Sequence, residues 1–169
     1  MKKIVLIGFA ACYKTSVGRL LSDRLKCDFV DTDQEIERIC NRSVQQIFEE
    51  KGEQYFRQKE SELLRALKAN NTVVACGGGA VLSAEFDSFA RDSVVICLTA
   101  QTETVRARLG SVARPLYDGR NAQELNSLMQ QRAPLYAKYA NVEFATDGKT
   151  SEQVTNQIYE WLNVTSVVD

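Results

Sequence analysis

The chain has 169 residues, of which 44% are hydrophobic and 25% are charged, and its formal net charge is −1; this is the composition of an ordinary globular protein of one domain. The nearly balanced charge gives no indication of a surface for nucleic acid or membrane, and no apolar run approaches the roughly 20 residues of a membrane helix. The chain contains no histidine, which excludes Ser-His-Asp and Cys-His catalysis and every histidine metal site.

The first part of the chain alternates short apolar runs with helical patterns. "KIVLIG" predicts a strand, and "TSVGRLLSDRL" predicts a helix that starts at Thr15. "CDFVDTD" predicts a second strand. Two helices follow, "QEIERIC" and "SVQQIFEEKGEQYFRQKESELLRALKA", and we expect an interruption of the second one at Gly52.

The second part continues the same alternation. "TVVACGGG" predicts a third strand that ends in glycines, and "SVVICLT" predicts a fourth. A helix, "AQTETVRARL", leads into the basic loop "GSVARPLYDGRN", and the next helix, "AQELNSLMQQRAPLYAKYA", carries Pro134 as a local interruption. "NVEFAT" predicts a fifth strand before an amphipathic helix, "TSEQVTNQIYEWLN". Strands separated by helices imply βαβ units and a parallel sheet, so the fold class is α/β.

Glycines and carboxylates follow the ends of the predicted strands. Gly8, Asp31 and Asp33, the glycines 77–79 and Thr99 all lie just beyond a strand. Ligands of parallel α/β sheets bind outside the carboxyl ends of the strands, so we expect the functional site at this edge. Asp31 and Asp33 alternate along a strand end and should point in different directions. One carboxylate could then serve Mg²⁺ through water while the other faces an acceptor.

The first strand runs into "GFAACYKT", a variant of the phosphate-binding pattern G-x-x-x-x-G-K-[ST]. Gly8, Lys14 and Thr15 match the pattern, whereas Tyr13 stands at the second glycine. In such a loop the backbone N–H groups converge on phosphates, the lysine reaches the β and γ phosphates, and the hydroxyl ligates Mg²⁺. The residues predicted to bind the nucleotide are Ala11, Cys12, Tyr13, Lys14, Thr15 and Ser16.

Tyr13 conflicts with the backbone conformation that this glycine normally supplies. A tyrosine held at positive φ costs on the order of 1–3 kcal/mol, so we expect the loop to follow another path with the phenol turned outward. Two interpretations remain open, a stiff but competent loop and a loop with weakened ATP binding.

Six segments in this order resemble the shikimate kinase family, and the resemblance extends to about Ala140. They are "GFAACYKTSVGR", "FVDTDQEIE", "IFEEKGEQYFRQKESELL", "CGGGAVL", "RPL" and "RAPLYAKYA". The resemblance implies a three-layer α/β/α fold with a five-stranded parallel sheet, like that of nucleoside monophosphate kinases. It also implies transfer of the ATP γ-phosphoryl group to the 3-hydroxyl of shikimate, with Mg²⁺, in aromatic amino-acid biosynthesis.

The family's domain layout and catalytic residues can be carried onto this chain. The resemblance implies one kinase domain over residues 1–169, with the phosphate loop at about 8–16, acceptor-binding helices at about 33–60 and a lid at about 109–121. Lys14, Asp33 and Arg114 match the catalytic residues. Arg114 would fold over the ATP phosphates, and Asp33 would bind the acceptor hydroxyls and act as the base.

The remaining site residues implied by the resemblance bind the metal, the acceptor and the adenine. Asp31 matches the family's aspartate on the metal side, and the metal residues are thus Thr15 and Asp31. Arg57 and Arg132 match two arginines that hold the shikimate carboxylate through forked, charge-assisted hydrogen bonds. Gly77, Gly78 and Gly79 would approach the acceptor closely. Arg106 or Arg108 would flank the adenine, and the spacing leaves both open.

Two alternative functions remain beside shikimate kinase. One is a kinase for another small hydroxy acid such as gluconate. The other is a non-catalytic or weakly active protein that binds shikimate or nucleotide. Its motives are Tyr13 in the phosphate loop and Cys76, which stands where the family more often has threonine or serine and so leaves out a hydroxyl near the metal.

The cysteines bear on the cell compartment. Cys12, Cys27, Cys40, Cys76 and Cys97 are odd in number and lack C-x-x-C spacing, which favours reduced thiols over disulfides or a zinc site. The chain begins with two lysines before an apolar run, as a signal peptide does. We do not predict a signal peptide, because the run already breaks at Tyr13. We therefore expect a cytoplasmic protein. We also expect a monomer, because no exposed apolar seam is evident in the sequence. Its ligands should be small molecules and neither nucleic acid nor membrane.

Overall fold

The central sheet is built from short runs of apolar and β-branched residues. In the computed structural model, which describes residues 1–67, 70–110, 117 and 120–165, the strands are β1 (Ile4–Ile7), β2 (Asp28–Asp31), β3 (Thr72–Ala75), β4 (Val94–Thr99) and β5 (Val142–Ala145). Every neighbouring pair is parallel, in the order β2-β3-β1-β4-β5. The predicted five-stranded parallel sheet is therefore confirmed.

Burial varies across the sheet in the way that covered parallel strands require. All residues of β1 and β3 are buried, and β4 is buried up to Thr99, whereas β2 and β5 at the two edges are only partly buried. Parallel strands covered on both faces are continuous apolar runs rather than alternating ones. This explains why "IVLI" and "VVICLT" contain so few polar residues.

Within the described residues, seven α-helices accompany the strands. They are α1 (Lys14–Leu25), α2 (Thr32–Cys40), α3 (Val44–Ala66), α4 (Phe86–Ala90), α5 (Thr102–Leu109), α6 (Ala122–Tyr139) and α7 (Ser151–Thr165). A short 3₁₀ turn covers Ala80–Leu82. The sequence did not predict α4 or this turn, because neither is long enough to show helical periodicity. Pro134 lies inside α6, which continues to Tyr139.

The helices α2 and α3 form a small second core beside the sheet. Ile36, Ile47, Phe56 and Leu63 pack together there, apart from the main apolar cluster. The predicted interruption at Gly52 is confirmed, since its φ of 80° and ψ of 168° break the helical path of α3. The break lets the two parts of α3 take different directions, and the second part carries Arg57 towards the sheet edge.

Two further observations concern the cysteines and the helices. All five cysteines are free thiols. Among the described helices, none has both the length and the apolar composition needed to cross a membrane.

Candidate active site

A cleft of about 430 Å³ opens at the carboxyl ends of β1, β2 and β3. Nearly all predicted site residues that the structure describes line it. They are Ala11, Cys12, Tyr13, Lys14, Thr15, Ser16, Asp31, Asp33, Arg57, Gly77, Gly78 and Gly79. Arg132 is buried and is not among the lining residues of the cleft, and Arg114 lies outside the described residues.

The phosphate loop contains two residues in the left-handed region besides its glycine. Gly8 has φ of 134°, and a Cβ there would overlap the Leu98 carbonyl of the neighbouring strand β4, so only glycine fits. Ala11 and Tyr13 have φ of 59° and 63°. The loop thus follows the path that glycines normally provide, although its sequence lacks them at these two positions.

The predicted orientation of Tyr13 is wrong. Its ring is half-buried and packs against the main core instead of turning outward. The guanidinium of Arg108 lies 3.8 Å from the ring centroid. A stacked guanidinium and apolar contact stabilise the ring where it lies, and they offset the cost of the left-handed backbone. Sequence spacing alone does not reveal this, because Arg108 is distant along the chain.

Lys14 and Cys12 are both buried within the loop. The Lys14 side chain is 9% exposed, and its Nζ donates a hydrogen bond to the Phe9 carbonyl at 2.6 Å. The ammonium group is therefore held beside the phosphate loop, where it would bind phosphates together with the N–H groups of the loop. Burial raises the pKa of the Cys12 thiol, with Lys14 and Arg108 opposing the shift. A protonated, enclosed thiol is a poor nucleophile, so Cys12 serves as packing.

The sequence analysis expected Asp31 and Asp33 to alternate along a strand, and this prediction is wrong. Asp31 ends β2 and is the N-cap of α2, where its Oδ1 accepts hydrogen bonds from the N–H groups of Asp33 at 3.0 Å and Gln34 at 3.2 Å. Asp33 belongs to the first turn of that helix. The cap satisfies backbone donors and starts the helix directly at the strand end, so both carboxylates still reach the cleft.

The residues predicted to bind Mg²⁺ are adjacent and chemically suited to it. The Thr15 hydroxyl donates to Asp31 Oδ2 at 2.6 Å, which leaves lone pairs of the hydroxyl oxygen available to a cation. In the described part of the chain, no cluster of three or more cysteines or acidic residues could enclose a metal. Mg²⁺ usually takes one or two protein oxygens together with substrate phosphates and water, so this donor pair fits it.

The acceptor side of the cleft contains a buried ion pair. Arg57 Nη1 lies 2.8 Å from Glu60 Oε2, and Arg57 Nη2 lies 3.2 Å from Glu53 Oε1. Glu60 is fully buried. Burial raises the pKa of Glu60, and the positive charge of Arg57 opposes that shift. Two carboxylates therefore hold the Arg57 guanidinium in place before any ligand arrives.

The glycines 77–79 let the turn after β3 come close to these charged groups. A Cβ on Gly77 would overlap the Asp33 carboxylate, and one on Gly79 would overlap the Arg57 guanidinium. The Gly77 N–H donates to the Thr32 hydroxyl at 2.9 Å, which ties the turn to α2. Glycine is thus required at positions 77 and 79 for steric reasons, and it leaves Asp33 and Arg57 accessible from the cleft.

Arg132 reaches the cleft through a tyrosine that the sequence analysis did not single out. The Arg132 side chain on α6 is 7% exposed, and its Nη1 donates to the Tyr117 hydroxyl at 3.4 Å. Tyr117 lines the cleft and packs against Phe9 in a tilted arrangement, with ring centroids 5.1 Å apart. Burial raises the pKa of Tyr117, and Arg132 opposes the shift. The phenol is therefore a neutral group that can donate a hydrogen bond.

Three functional side chains were missing from, or left open by, the predicted set. Glu60 could have been found three residues after Arg57 on the same helix face. Tyr117 had no sequence signal, because an isolated tyrosine in a loop follows no pattern. Arg106 is exposed, whereas Arg108 is half-buried against the phosphate loop.

Comparison with known proteins places these features in a family. The family model for shikimate kinase matches residues 10–163. The shikimate kinase of Symbiobacterium thermophilum is 42% identical over 165 residues, covering 94% of this chain and 95% of its own length. That of Thermodesulfovibrio yellowstonii is 40% identical over 162 residues, covering 94% and 93%.

Solved structures give the same result for the fold. The shikimate kinase from Acinetobacter baumannii in complex with shikimate superposes with a TM-score of 0.92 at 31% identity, over 98% of this chain and 94% of its own. The Aquifex aeolicus shikimate kinase gives 0.83 at 28% identity, over 99% of both chains. Thymidylate kinase from Candida albicans, at 13% identity and a TM-score of 0.60 over 99% of this chain and 93% of its own, shares the fold alone.

Proposed function

The chain belongs to the shikimate kinase family, and from that premise we propose that it transfers the γ-phosphoryl group of ATP to the 3-hydroxyl of shikimate. The observation that carries the proposal is a single cleft with a phosphate loop on one side and Asp33 beside Arg57 on the other. One side suits a polyphosphate, and the other suits a small acid with hydroxyl groups.

The nucleotide side binds phosphates through the N-terminus of α1 and Lys14. Unpaired N–H groups at a helix N-terminus, together with the helix dipole, favour anions. Lys14 adds a positive charge within a few ångströms of the same loop. Thr15 and Asp31 would hold Mg²⁺, which supplies positive charge to the phosphates when it is bound. We assign Arg114 to the transferring phosphoryl group on the strength of the family resemblance.

The acceptor side binds a carboxylate and orients a hydroxyl. Arg57 offers a guanidinium already fixed by Glu60 and Glu53, so little side-chain entropy is lost when it binds a carboxylate. Arg132 and the Tyr117 hydroxyl provide a second set of donors. Asp33 accepts the proton of the attacking hydroxyl or holds that hydroxyl in line with the phosphorus.

Catalysis in this cleft rests on positioning and electrostatics. Phosphoryl transfer requires an in-line arrangement and compensation of charge on the transferring group, and it needs little covalent chemistry from the protein. Lys14 and Arg114 carry the positive charge, and the predicted lid at about 109–121 would exclude water, which otherwise competes with the acceptor. A chain without histidine can perform all these steps.

A coupled assay of ADP release tests the proposal against its alternatives. We expect ADP release that depends on both shikimate and Mg²⁺, with at most a trace when gluconate or no acceptor is supplied. Release with gluconate instead would identify a kinase for another hydroxy acid. Binding of ATP and shikimate without ADP release at millimolar ATP would identify a non-catalytic binding protein. Either outcome would overturn the proposal.

We also propose that the protein acts as a cytoplasmic monomer. The free thiols of all five cysteines support a reducing compartment. Light scattering after size-exclusion chromatography, with shikimate and ADP present, measures the state directly. A mass twice that of the chain would contradict a monomer.

A further inference from the structure

We propose that Tyr13 and Arg108 form a clamp that holds the phosphate loop in its anion-binding shape, so that nucleotide binding in this chain depends on their contact. The clamp consists of the Tyr13 ring, the Arg108 guanidinium and the Thr146 backbone and hydroxyl. The inference rests on the proposed function, since it concerns how the same loop binds polyphosphate. Both residues act as positioning residues for the loop.

The loop needs a device of this kind because two of its residues are strained. Ala11 and Tyr13 are both in the left-handed region, with φ of 59° and 63°. Residues other than glycine, asparagine and aspartate rarely occupy this region. Relaxation of either residue would turn peptide N–H groups away from the cleft. Contacts from outside the loop must therefore stabilise the observed path.

Arg108 contacts both strained residues at once. Its Nη1 donates to the Ala11 carbonyl at 2.9 Å, and its guanidinium lies 3.8 Å from the centroid of the Tyr13 ring. The hydrogen bond fixes the peptide plane after Ala11. The stack fixes the Tyr13 side chain and, through it, the backbone that leads into α1.

The other end of the clamp is anchored in the sheet. Arg108 Nη1 also donates to Thr146 Oγ1 at 2.9 Å, and Nη2 donates to the Thr146 carbonyl at 3.0 Å. Thr146 is fully buried, and its N–H and hydroxyl both donate to the Thr99 carbonyl at the end of β4. The loop after β1 is thus joined through one guanidinium to the ends of β4 and β5.

The clamp is connected with the tyrosine that replaces glycine at position 13 of the phosphate-binding pattern. With glycine at position 13 the backbone would take the left-handed conformation at little cost, and no ring would lie beneath Arg108. With tyrosine the conformation is costly, and the ring supplies the surface on which Arg108 stacks. The clamp should therefore matter with Tyr13 and matter much less with glycine in its place.

A double-mutant cycle tests this dependence. The ligand is Mg²⁺ with inorganic tripolyphosphate, measured by calorimetry, because this probe has phosphates but no base. We expect Arg108→Gln to raise its Kd by about 3- to 10-fold in the natural chain, the range that a lost cation–π contact and hydrogen bond imply. In the Tyr13→Gly background the same change should raise Kd by a clearly smaller factor, because only the hydrogen bond to Ala11 is then lost.

Three companion variants separate the ring from other effects. Tyr13→Phe keeps the ring, so the full Arg108→Gln factor should persist in that background. Tyr13→Asn tolerates the left-handed backbone but has no ring, so the factor should fall. Arg108→Lys should resemble Arg108→Gln, since an ammonium cannot bridge Ala11 and Thr146 while stacking. Arg106→Gln, on the exposed side of the same helix, should change the tripolyphosphate Kd by less than about twofold.

Several outcomes would overturn the clamp. Equal Arg108→Gln factors with tyrosine and glycine would mean that the stack of Arg108 on the Tyr13 ring contributes nothing to the binding of polyphosphate. A change in ATP affinity without a change in tripolyphosphate affinity would mean that Arg108 contacts the base. If the natural chain does not bind tripolyphosphate, the phosphate loop does not have an anion-binding shape, and the clamp then has no such shape to hold.

Kinetics supply a second readout that general destabilisation would not reproduce. Arg108→Gln should raise the KM for ATP while leaving kcat and the KM for shikimate within about twofold, and a loss of kcat would contradict the clamp. These measurements are distinct from the test of the proposed function, which fails if the natural chain releases no ADP with shikimate. Tripolyphosphate binding needs no acceptor, so the clamp can fail while the kinase activity stands.

Discussion

The phosphate loop and the acceptor side of the cleft handle backbone conformation in opposite ways. On the acceptor side, Gly77 and Gly79 leave space that the carboxylate of Asp33 and the guanidinium of Arg57 fill. In the phosphate loop, alanine and tyrosine adopt left-handed conformations, and Arg108 contacts both from another helix. The lack of a side chain is therefore sufficient on one side, whereas the other side needs an added contact from another helix. Four substitutions would break or sharpen this contrast.

The largest effect is expected from Lys14→Ala. Loss of the buried ammonium beside the phosphates should reduce kcat by about 100-fold or more, in line with the loss of one preorganised charge-stabilising group. The measurement is the shikimate-dependent rate of ADP release. Far-UV circular dichroism and the thermal midpoint serve as controls, since Lys14 also donates to the Phe9 carbonyl. Retention of more than a tenth of kcat with a native spectrum would remove Lys14 from the catalytic residues.

Gly79→Ala should damage the acceptor side alone. Position 79 has φ of −101°, which alanine adopts without strain, and the atoms nearest to the new Cβ all belong to the Arg57 guanidinium. Displacement of Arg57 should raise the KM for shikimate by about 10-fold, the equivalent of roughly 1.4 kcal/mol. The KM for ATP is the internal control. A parallel rise in both constants would mean that the two sides of the cleft are not independent.

Glu60→Gln tests the buried ion pair through the pH dependence of stability. Burial raises the pKa of Glu60 in the folded protein, against the pull of Arg57. The folded state therefore binds this proton more tightly than the unfolded state. The glutamate's contribution to stability is greatest below its unfolded pKa and is lost as the pH rises through the folded pKa.

The free energies of unfolding of the natural chain and of Glu60→Gln, measured in urea from about pH 4 upward, should reveal this loss. Glutamine does not titrate, so the difference between the two chains should move in favour of glutamine as the pH rises. A difference that moves the other way would show that Arg57 dominates and lowers the pKa of Glu60.

The smallest expected effect belongs to Ala11→Gly. Glycine adopts φ of 59° readily, so the substitution should stabilise the chain by about 0.5–1 kcal/mol, net of the added freedom of the unfolded state. Ala10→Gly is the matched control, because Ala10 does not have positive φ and glycine there should destabilise. Urea unfolding of both variants measures the contrast. Destabilisation by Ala11→Gly would mean that the Ala11 methyl contributes more by packing than its backbone strain costs.

Several features of the fold and of the site could be predicted because they depend on local patterns. The runs "KIVLIG" and "SVVICLT" predicted strands, since buried parallel strands are apolar throughout. The position of the cleft followed from the rule that ligands lie beyond the carboxyl ends of such strands. Asp33 was correctly assigned to the cleft edge, although its place in a helix turn was missed because Asp31 caps α2 directly at the strand end.

Other features could not be predicted, because they require knowledge of which distant residues meet. Tyr117 and Arg132 are 15 residues apart, in a loop and a helix, and only the folded chain brings the hydroxyl and the guanidinium together. The same holds for Tyr13 and Arg108. A tyrosine at a glycine position indicates backbone strain, but the sequence does not show that Arg108 is the residue that offsets this strain.

The sequence by itself determined the α/β class, the five parallel strands and the membership of most cleft residues, because hydrophobic period and glycine placement act over a few neighbouring residues. The tertiary structure decided the orientation of Tyr13, the fixed position of Arg57 and the connection of the phosphate loop to Thr146. Each of these depends on a charged or aromatic group that lies against residues remote in the chain: Tyr13 against Arg108, Arg57 against the turn at Gly79, and Arg108 against Thr146. Such burial is favourable only when the partner is present, and the partner is determined by how the helices pack on the sheet.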